Sequence, residues 1–323
     1  MTHFKNIIRP IAFLIGLFIL INGVAYLLTP KDNINEGVYG QAEGILSEPD
    51  NTIDYLLIGD SECYTSISPM EIWHKYGYVG YNCGVTLQKL QDTYYLLEEI
   101  LKNQSPKVVL LETNAIYQTS DFYNEFQKAL DGVLAKKLAI FKYHNNWKSI
   151  TFDRHKGFKL DPKRISSDPY KGFHYKPKAA AYTKGYYVKE TQETKEIEEI
   201  PLFYLNKIAN LCKERDIQLV LYCAPSPICW SYAKHNGVAA YAEENELPFI
   251  DFNLHTDELG IDWTKDTCDN GDHMNYAGAK KVTKYIGEYL YAHCDLPNHS
   301  EDSKYAAWNE SLNEYLKLTS QTK

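Results

Sequence analysis

Short apolar runs alternate with helical patterns along most of this chain, and this alternation restricts its fold more than any other feature. The runs cover residues 53–58, 79–82, 107–112, 217–224 and 248–252. Helical patterns separate or follow them at residues 69–76, 87–101, 201–215, 231–246 and 275–290. Because parallel strands need long crossover connections and bury both faces, the alternation predicts a three-layer α/β/α sandwich with a parallel five-stranded sheet.

The N-terminal region carries a long apolar stretch. Residues Ile11 to Leu28 are almost wholly apolar, and only Asn22 and two glycines interrupt them. A helix of about 18 to 20 apolar residues crosses the hydrocarbon core of a membrane, so the stretch predicts one transmembrane helix. Lys5 and Arg9 precede it, which predicts a cytoplasmic N terminus. A cleaved signal peptide is the alternative, with Gly23-Val24-Ala25 as a poor cleavage site.

Composition and pattern divide the chain into four predicted parts. Residues 1–30 form a cytoplasmic stub and the membrane anchor, and residues 31–51, rich in Gly, Asn, Asp and Pro, form a linker. Residues 52–295 form the α/β domain, with an insertion at about residues 116–200 that we interpret as a lid or wall of a cleft. Residues 296–323 form a polar tail with a weak helical pattern at Trp308, Leu312, Tyr315 and Leu316.

The composition excludes several classes of function. A net charge of -8 argues against a nucleic-acid partner, because phosphate binding needs a basic surface. The seven cysteines leave at least one thiol unpaired, and no Cys/His cluster has the spacing of a zinc site. No glycine-rich loop of the kind that cradles phosphate is present. The sequence therefore predicts no metal, no cofactor and no nucleic-acid partner.

Polar residues fall at the carboxyl ends of the predicted strands, where ligands bind in open parallel sheets. Ser61 follows the first strand, Gly84 the second and Asn114 the third, and His273 directly precedes the final helix. A serine needs a base to become nucleophilic, and a tetrahedral intermediate needs hydrogen-bond donors at its oxyanion. These four positions can supply both, so they predict acyl chemistry.

The same residues resemble the conserved blocks of the SGNH (GDSL) hydrolases, a family with a flavodoxin-like fold. Gly59-Asp60-Ser61-Glu62 resembles the Gly-Asp-Ser-Leu block, and Gly84, Asn114 and His273 match the family's later blocks in order. The resemblance implies that Ser61 attacks an ester carbonyl and that His273 takes its proton. It also implies an oxyanion hole made by the backbone N–H groups of Ser61 and Gly84 and by the Asn114 side chain.

The third catalytic residue is left open between two aspartates. The family usually has Asp three residues before the histidine, but Asn270 occupies that position here. Asp269 lies one residue earlier, and Gly271 allows the loop to bulge enough for its carboxylate to reach the imidazole. We therefore predict Asp269 as the residue that orients His273, with Asp272 as the alternative.

The apolar N terminus, the Gly-Asp-Ser-Glu block and residues 272–279 resemble a membrane-anchored branch of the superfamily. That branch includes the D-alanine-transfer protein of teichoic acid modification and the SGNH proteins of polysaccharide O-acetylation. The resemblance implies an extracytoplasmic domain that moves acetyl or D-alanyl groups on a cell-envelope polysaccharide or teichoic acid, with a membrane-bound O-acyltransferase as partner. A free-standing esterase is the close alternative, and a catalytically weak scaffold or glycan-binding partner is the rival from another class.

Overall fold

The computed structural model describes residues 2–28, 42, 44–118 and 168–320. The chain divides into two units, of which one comprises residues 1–36 and 120–162 and the other residues 37–119 and 163–323. Helix α1, Thr2–Leu28, belongs to the first unit. The second unit contains the sheet and every predicted site residue.

Helix α1 contains the apolar stretch that predicted a membrane anchor. Its described side chains are largely exposed, with Phe13, Leu14 and Phe18 at 68%, 60% and 66% of their full accessibility. Across the described part of the chain, no helix has the length and apolar character needed to cross a membrane. The transmembrane helix that the sequence predicted is thus not found among those residues.

A parallel sheet of five strands forms the centre of the second unit. The strands are β1 (Tyr55–Ile58), β2 (Gly80–Asn82), β3 (Val108–Glu112), β4 (Gln218–Cys223) and β5 (Phe249–Asp251). Their order is β2-β1-β3-β4-β5, and every neighbouring pair is parallel. The predicted α/β fold with a parallel five-stranded sheet is confirmed. The strand order reverses between β1 and β3, which is where such sheets bind ligands.

Eight further helices accompany the strands within the described residues of this unit. They are α2 (Ser61–Ser66), α3 (Pro69–Tyr76), α4 (Leu90–Ile100), α5 (Glu199–Glu214), α6 (Tyr232–Glu244), α7 (Thr256–Leu259), α8 (Tyr276–His293) and α9 (Ala306–Ser320). Short 3₁₀ helices occur at Gly44–Ser47, Thr113–Tyr117, Phe252–Leu254 and Ser303–Tyr305. Helix α2 begins at Ser61, where the sequence predicted only a loop.

The two faces of the sheet pack against different helices. Successive side chains of a strand point to opposite faces, so Leu56 and Ile58 of β1 join one core cluster, whereas Tyr55 and Leu57 join another. The first cluster draws its helical residues mainly from α4, α5 and α6, and the second mainly from α8. Burial on both faces explains why the strands appear as continuous apolar runs in the sequence.

The predicted linker and tail both contribute residues to the core. Ile45, within the predicted linker, is fully buried in the first cluster, together with Trp308 and Tyr315 of α9. The Ser68 side chain makes no cap hydrogen bond at the start of α3, because its hydroxyl donates to the Tyr315 hydroxyl at 3.1 Å. The Tyr315 hydroxyl in turn donates to Glu71 at 3.0 Å. A contact with the C-terminal helix thus replaces the local cap.

The predicted insertion is described only in part, since residues 119–167 lie outside the described ranges. Residues 168–198 are described and contain neither helix nor strand. This segment runs beside the loop that precedes α8, because Ala180 N donates to Thr267 O at 2.8 Å and Asn270 N donates to Ala180 O at 3.0 Å. It therefore supports the loop that carries the predicted aspartates.

We expect Trp308→Ala to lower the free energy of unfolding by about 3 to 5 kcal/mol, the usual cost of removing a buried tryptophan. Trp308 is 3% exposed and packs against Trp73, with ring centroids 5.6 Å apart. Urea unfolding followed by far-UV circular dichroism measures the change. Glu310→Ala, an exposed position on the same helix, should change stability by less than about 0.5 kcal/mol. Equal effects of the two substitutions would contradict the burial of α9.

Candidate active site

A tight turn after β1 presents Ser61 at the first position of α2. Gly59 has φ of +148°, and a Cβ atom there would lie 2.6 Å from Cβ of Glu112, so only glycine fits. Asp60 caps the helix, because its Oδ1 accepts a hydrogen bond from Glu62 N at 3.0 Å. Ser61 is partly exposed as a result, while Asp60 is fully buried.

The second oxygen of Asp60 connects the serine turn to the end of β3. Asp60 Oδ2 accepts hydrogen bonds from Asn114 Nδ2 at 2.8 Å and from Gln118 Nε2 at 3.0 Å. Burial raises the pKa of Asp60, although the hydrogen bond from Glu62 N and those from the two side-chain amides oppose the rise. The carboxyl group therefore fixes Asn114 relative to Ser61. Sequence reasoning missed Gln118, which follows Asn114 in the same loop.

Three hydrogen bonds fix Asn114, and one N–H of its side-chain amide is left without an acceptor among the described residues. Its backbone N–H donates to Glu112 Oε2 at 2.8 Å, and its Oδ1 accepts from Lys234 Nζ at 3.4 Å. These contacts orient the amide so that one hydrogen of Nδ2 points to Asp60. A side-chain amide carries two such hydrogens, so the second has no acceptor among the described residues. This N–H fits the predicted oxyanion role.

Gly84 lies where the sequence predicted but makes a different contact. A Cβ atom on Gly84 would come within 2.9 Å of Asp60 O and of Tyr64 N, so the backbone packs directly against the serine turn. Its N–H donates to Asn82 Oδ1 at 3.1 Å. The predicted oxyanion donor is thus already engaged in this structure.

His273 and Asp269 form the hydrogen-bonded pair that the sequence predicted. Asp269 Oδ2 accepts from His273 Nδ1 at 2.5 Å, and Asp269 Oδ1 accepts from the His273 backbone N–H at 2.7 Å. The backbone is left-handed at Asn270 and Gly271, with φ of +65° and +99°, and this bulge brings Asp269 back to the ring. Asp272 Oδ2 lies farther from Nδ1, at 3.6 Å. With Nδ1 donating, Nε2 is free to accept a proton.

Ser61 and His273 lie on neighbouring loops, but no hydrogen bond joins them among the described residues. Carboxylate oxygens of their chain neighbours, Glu62 and Asp272, lie within 4.8 Å of each other. Hydrogen bonds of catalytic groups are often long or absent before substrate binds. The serine turn and the loop before α8 therefore lie side by side.

Three acidic side chains are buried at the serine turn: Asp60, Glu62 and Glu112. Burial raises the pKa of Glu62 and of Glu112 well above the ordinary value, and the nearby charge of Asp60 raises both further. Glu112 accepts from two backbone N–H groups, whereas neither carboxyl oxygen of Glu62 has a hydrogen-bond partner among the described residues. Sequence reasoning noted Glu62 only as a departure from the family block.

A narrow cavity lies beside this turn, at the carboxyl ends of β3, β4 and β5. Glu62 and Asn114 line it from the serine side, and Trp230 and His235 line it from the far side. Asp251, the last residue of β5, accepts from Trp230 Nε1 and from His235 Nδ1, each at 2.8 Å. Sequence reasoning missed this group, although an aspartate ending a buried strand was a detectable signal.

No protein-family profile matches this sequence. No curated protein matches it either. Solved structures that are similar to it include two from Bacteroides species. A protein described as a "putative acylhydrolase", from Bacteroides fragilis NCTC 9343, has a TM-score of 0.41 at 13% identity, over 78% of this chain and 95% of that one. A GDSL-like lipase from Bacteroides thetaiotaomicron VPI-5482 has a TM-score of 0.39 at 11% identity, over the same shares of the two chains.

We expect Asp269→Asn to lower turnover of a small activated ester far more than Asp272→Asn does. An amide cannot stabilise the charged imidazole as a carboxylate does, and loss of this partner in a serine triad costs up to about ten-thousand-fold. Asp272→Asn should cost less, because Asp272 makes the longer contact with His273 Nδ1. Release of p-nitrophenol from its acetate ester measures both, with circular dichroism as the folding control. A larger loss in Asp272→Asn would assign the orienting role to Asp272.

Proposed function

We propose that this chain cleaves or transfers ester-linked acyl groups through a covalent intermediate on Ser61, with His273 as the base. The observation that carries the proposal is the hydrogen bond from His273 Nδ1 to Asp269, on a loop that meets the serine turn. A histidine fixed in this way presents Nε2 as a proton acceptor, which is the state that serine activation needs. The partial exposure of Ser61 leaves its hydroxyl open to a substrate.

The proposed reaction proceeds in two halves. Nε2 of His273 takes the Ser61 proton while the serine oxygen attacks the ester carbonyl, and the carbonyl oxygen becomes negatively charged. The free amide N–H of Asn114 and the backbone N–H of Ser61, which the helix start leaves without an intrahelical partner, stabilise this oxyanion. The C–O bond of the ester then breaks, and His273 returns the proton to the leaving alcohol. The acyl group remains on Ser61.

The second half decides between hydrolysis and transfer. A water molecule or an acceptor hydroxyl attacks the acyl-enzyme, with His273 again removing the proton and returning it to Ser61. We propose an acetyl or D-alanyl group and a cell-envelope polysaccharide or teichoic acid, on the resemblance of the sequence blocks.

A scaffold without turnover is the second candidate. Two observations favour it: Ser61 and His273 share no hydrogen bond among the described residues, and the Gly84 N–H is engaged by Asn82. Such a scaffold would bind envelope glycan or a membrane-bound O-acyltransferase. Labelling of Ser61 separates the two candidates.

We also propose that the domain works outside the cytoplasm, anchored by the N-terminal region. Lys5 and Arg9 on one side of an apolar stretch support this orientation, and the exposed apolar side chains of α1 support an apolar environment around it. Location beside the membrane would place the domain next to a membrane-bound O-acyltransferase that supplies the acyl group.

If the anchor proposal is correct, the chain should keep its N terminus and stay with membranes after a carbonate wash. Protease added to spheroplasts should digest everything beyond about residue 30, since that part would face outward. Mass spectrometry of the peptides that remain checks both statements. A variant in which Lys5 and Arg9 are both replaced by Glu serves as a control, because loss of the flanking positive charges should reduce correct insertion. Protection of the α/β domain in intact spheroplasts would contradict the proposed location.

The central test is labelling of the purified full chain with phenylmethylsulfonyl fluoride. A sulfonyl adduct should appear on Ser61 and should be lost in Ser61→Ala and in His273→Ala, because an unactivated serine does not react. The double variant should be scarcely worse than either single variant in hydrolysis of p-nitrophenyl acetate, since the two groups act as one unit.

Ser105→Ala and His74→Ala are matched controls, because both residues are exposed and lie outside the site. Both variants should label like the original chain. An unlabelled Ser61 in correctly folded protein would refute the proposed nucleophile. If Ser61→Ala also leaves polymer modification in cells unchanged, the scaffold becomes the supported function.

A further inference from the structure

Three side chains from separate segments meet behind the serine turn. Glu62 lies on α2, Cys229 lies between β4 and α6, and Asp272 lies on the loop before α8. One carboxyl oxygen of each acid and Sγ of Cys229 all lie within 4.8 Å of one another. Cys229 Sγ donates to Asp272 Oδ1 at 2.9 Å. The cluster thus collects one sulfur and two oxygen ligands at one point.

Glu62 is the member of this cluster whose burial the described residues do not balance with a hydrogen bond. It is 2% exposed, and neither of its carboxyl oxygens has a hydrogen-bond partner among the described residues. The hydroxyl of Ser226, which lies nearby, donates instead to the backbone oxygen of Asp272 at 2.8 Å. Buried polar atoms are almost always satisfied, so an unpaired buried carboxyl group indicates a missing partner.

The missing partner is not a basic side chain of the same cavity. Lys234 lines that cavity, but its Nζ donates to the backbone oxygen of Cys229 at 2.5 Å and to Asn114 Oδ1 at 3.4 Å. His235 also lines it and is paired with Asp251 at 2.8 Å. Among the described ion pairs, none neutralises Glu62.

We propose that Glu62, Cys229 and Asp272 bind a divalent metal ion, and that the ion is zinc. Sulfur in the ligand set favours zinc over calcium or magnesium, which take oxygen ligands alone. Zinc binds sulfur at about 2.3 Å and carboxylate oxygen at about 2.1 Å, so its ligand atoms lie about 3.5 Å apart. The three donor atoms, all within 4.8 Å of one another, lie near this spacing. A fourth, open position would hold water or a substrate group.

The position of the ion has a consequence for the reaction. Glu62 directly follows Ser61 and Asp272 directly precedes His273, so an ion between them would hold the two loops at a fixed separation. The three ligands would then be positioning residues that act through the geometry of Ser61 and His273. This consequence rests on the proposed function, whereas the metal site itself does not.

Cobalt binding to the full chain, purified in detergent and stripped with a chelator, tests the site. Co²⁺ bound to a thiolate has a charge-transfer absorption that a set of oxygen ligands lacks, so the band reports Cys229 directly. We expect one equivalent of Co²⁺ to produce this band and one equivalent of Zn²⁺ to remove it. Cys229→Ser should abolish the band, and Glu62→Gln, which keeps the size of the side chain, should weaken binding at least about tenfold.

Cys268→Ser is the matched control, because Cys268 is another partly buried free thiol, on the loop that carries Asp272. It should keep both the band and the affinity, with circular dichroism confirming the fold of each variant. Folded wild-type protein without the band, or a band that survives in Cys229→Ser, would overturn the proposal. A band in protein whose Ser61 resists sulfonylation would support the metal site and refute the proposed reaction.

Discussion

The buried carboxyl group of Asp60 is the interaction on which the arrangement of the site depends. One oxygen caps α2 and sets the direction in which Ser61 leaves the sheet, and the other accepts from Asn114 and Gln118. A carboxyl group without water is stable only when donors surround it, so these three contacts are needed together. The serine turn after β1 and the loop after β3 are consequently fixed by the same group rather than by separate contacts.

The acids around Ser61 also set the electrostatics of the reaction. An oxyanion formed beside three ionised carboxylates would be strongly opposed, because charges interact at close range through a medium of low dielectric constant. Burial counteracts this by raising the pKa of Glu62 and of Glu112, which disfavours their charged forms next to the nucleophile. A divalent cation bound to Glu62 would also reduce the negative charge next to the nucleophile. The electrostatic potential of the site is therefore less negative than its three acidic residues would suggest.

Local sequence patterns predicted the features that depend on local physics. The strands were predictable because burial on both faces makes them continuous apolar runs, and the contact of Asp269 with His273 because Gly271 permits a bulge. Helix α2 was missed because six residues are too few to show a helical period. The cluster of Glu62, Cys229 and Asp272 was missed for a different reason: its members come from three distant segments, so no spacing rule contains them. The membrane anchor and the catalytic roles stay predictions.

The docking of α9 has a consequence for the order in which the domain is assembled. Tyr315 has no exposed surface and bonds to Ser68 and, through its hydroxyl, to Glu71, which lie near the start of the domain. Domains emerge from the ribosome N terminus first, at about 5 to 20 residues per second. The groups that Tyr315 covers therefore stay uncovered until a segment 247 residues after Ser68 has been synthesised. The core of this unit is thus closed by a contact between an early and a late segment of the chain rather than by local contacts.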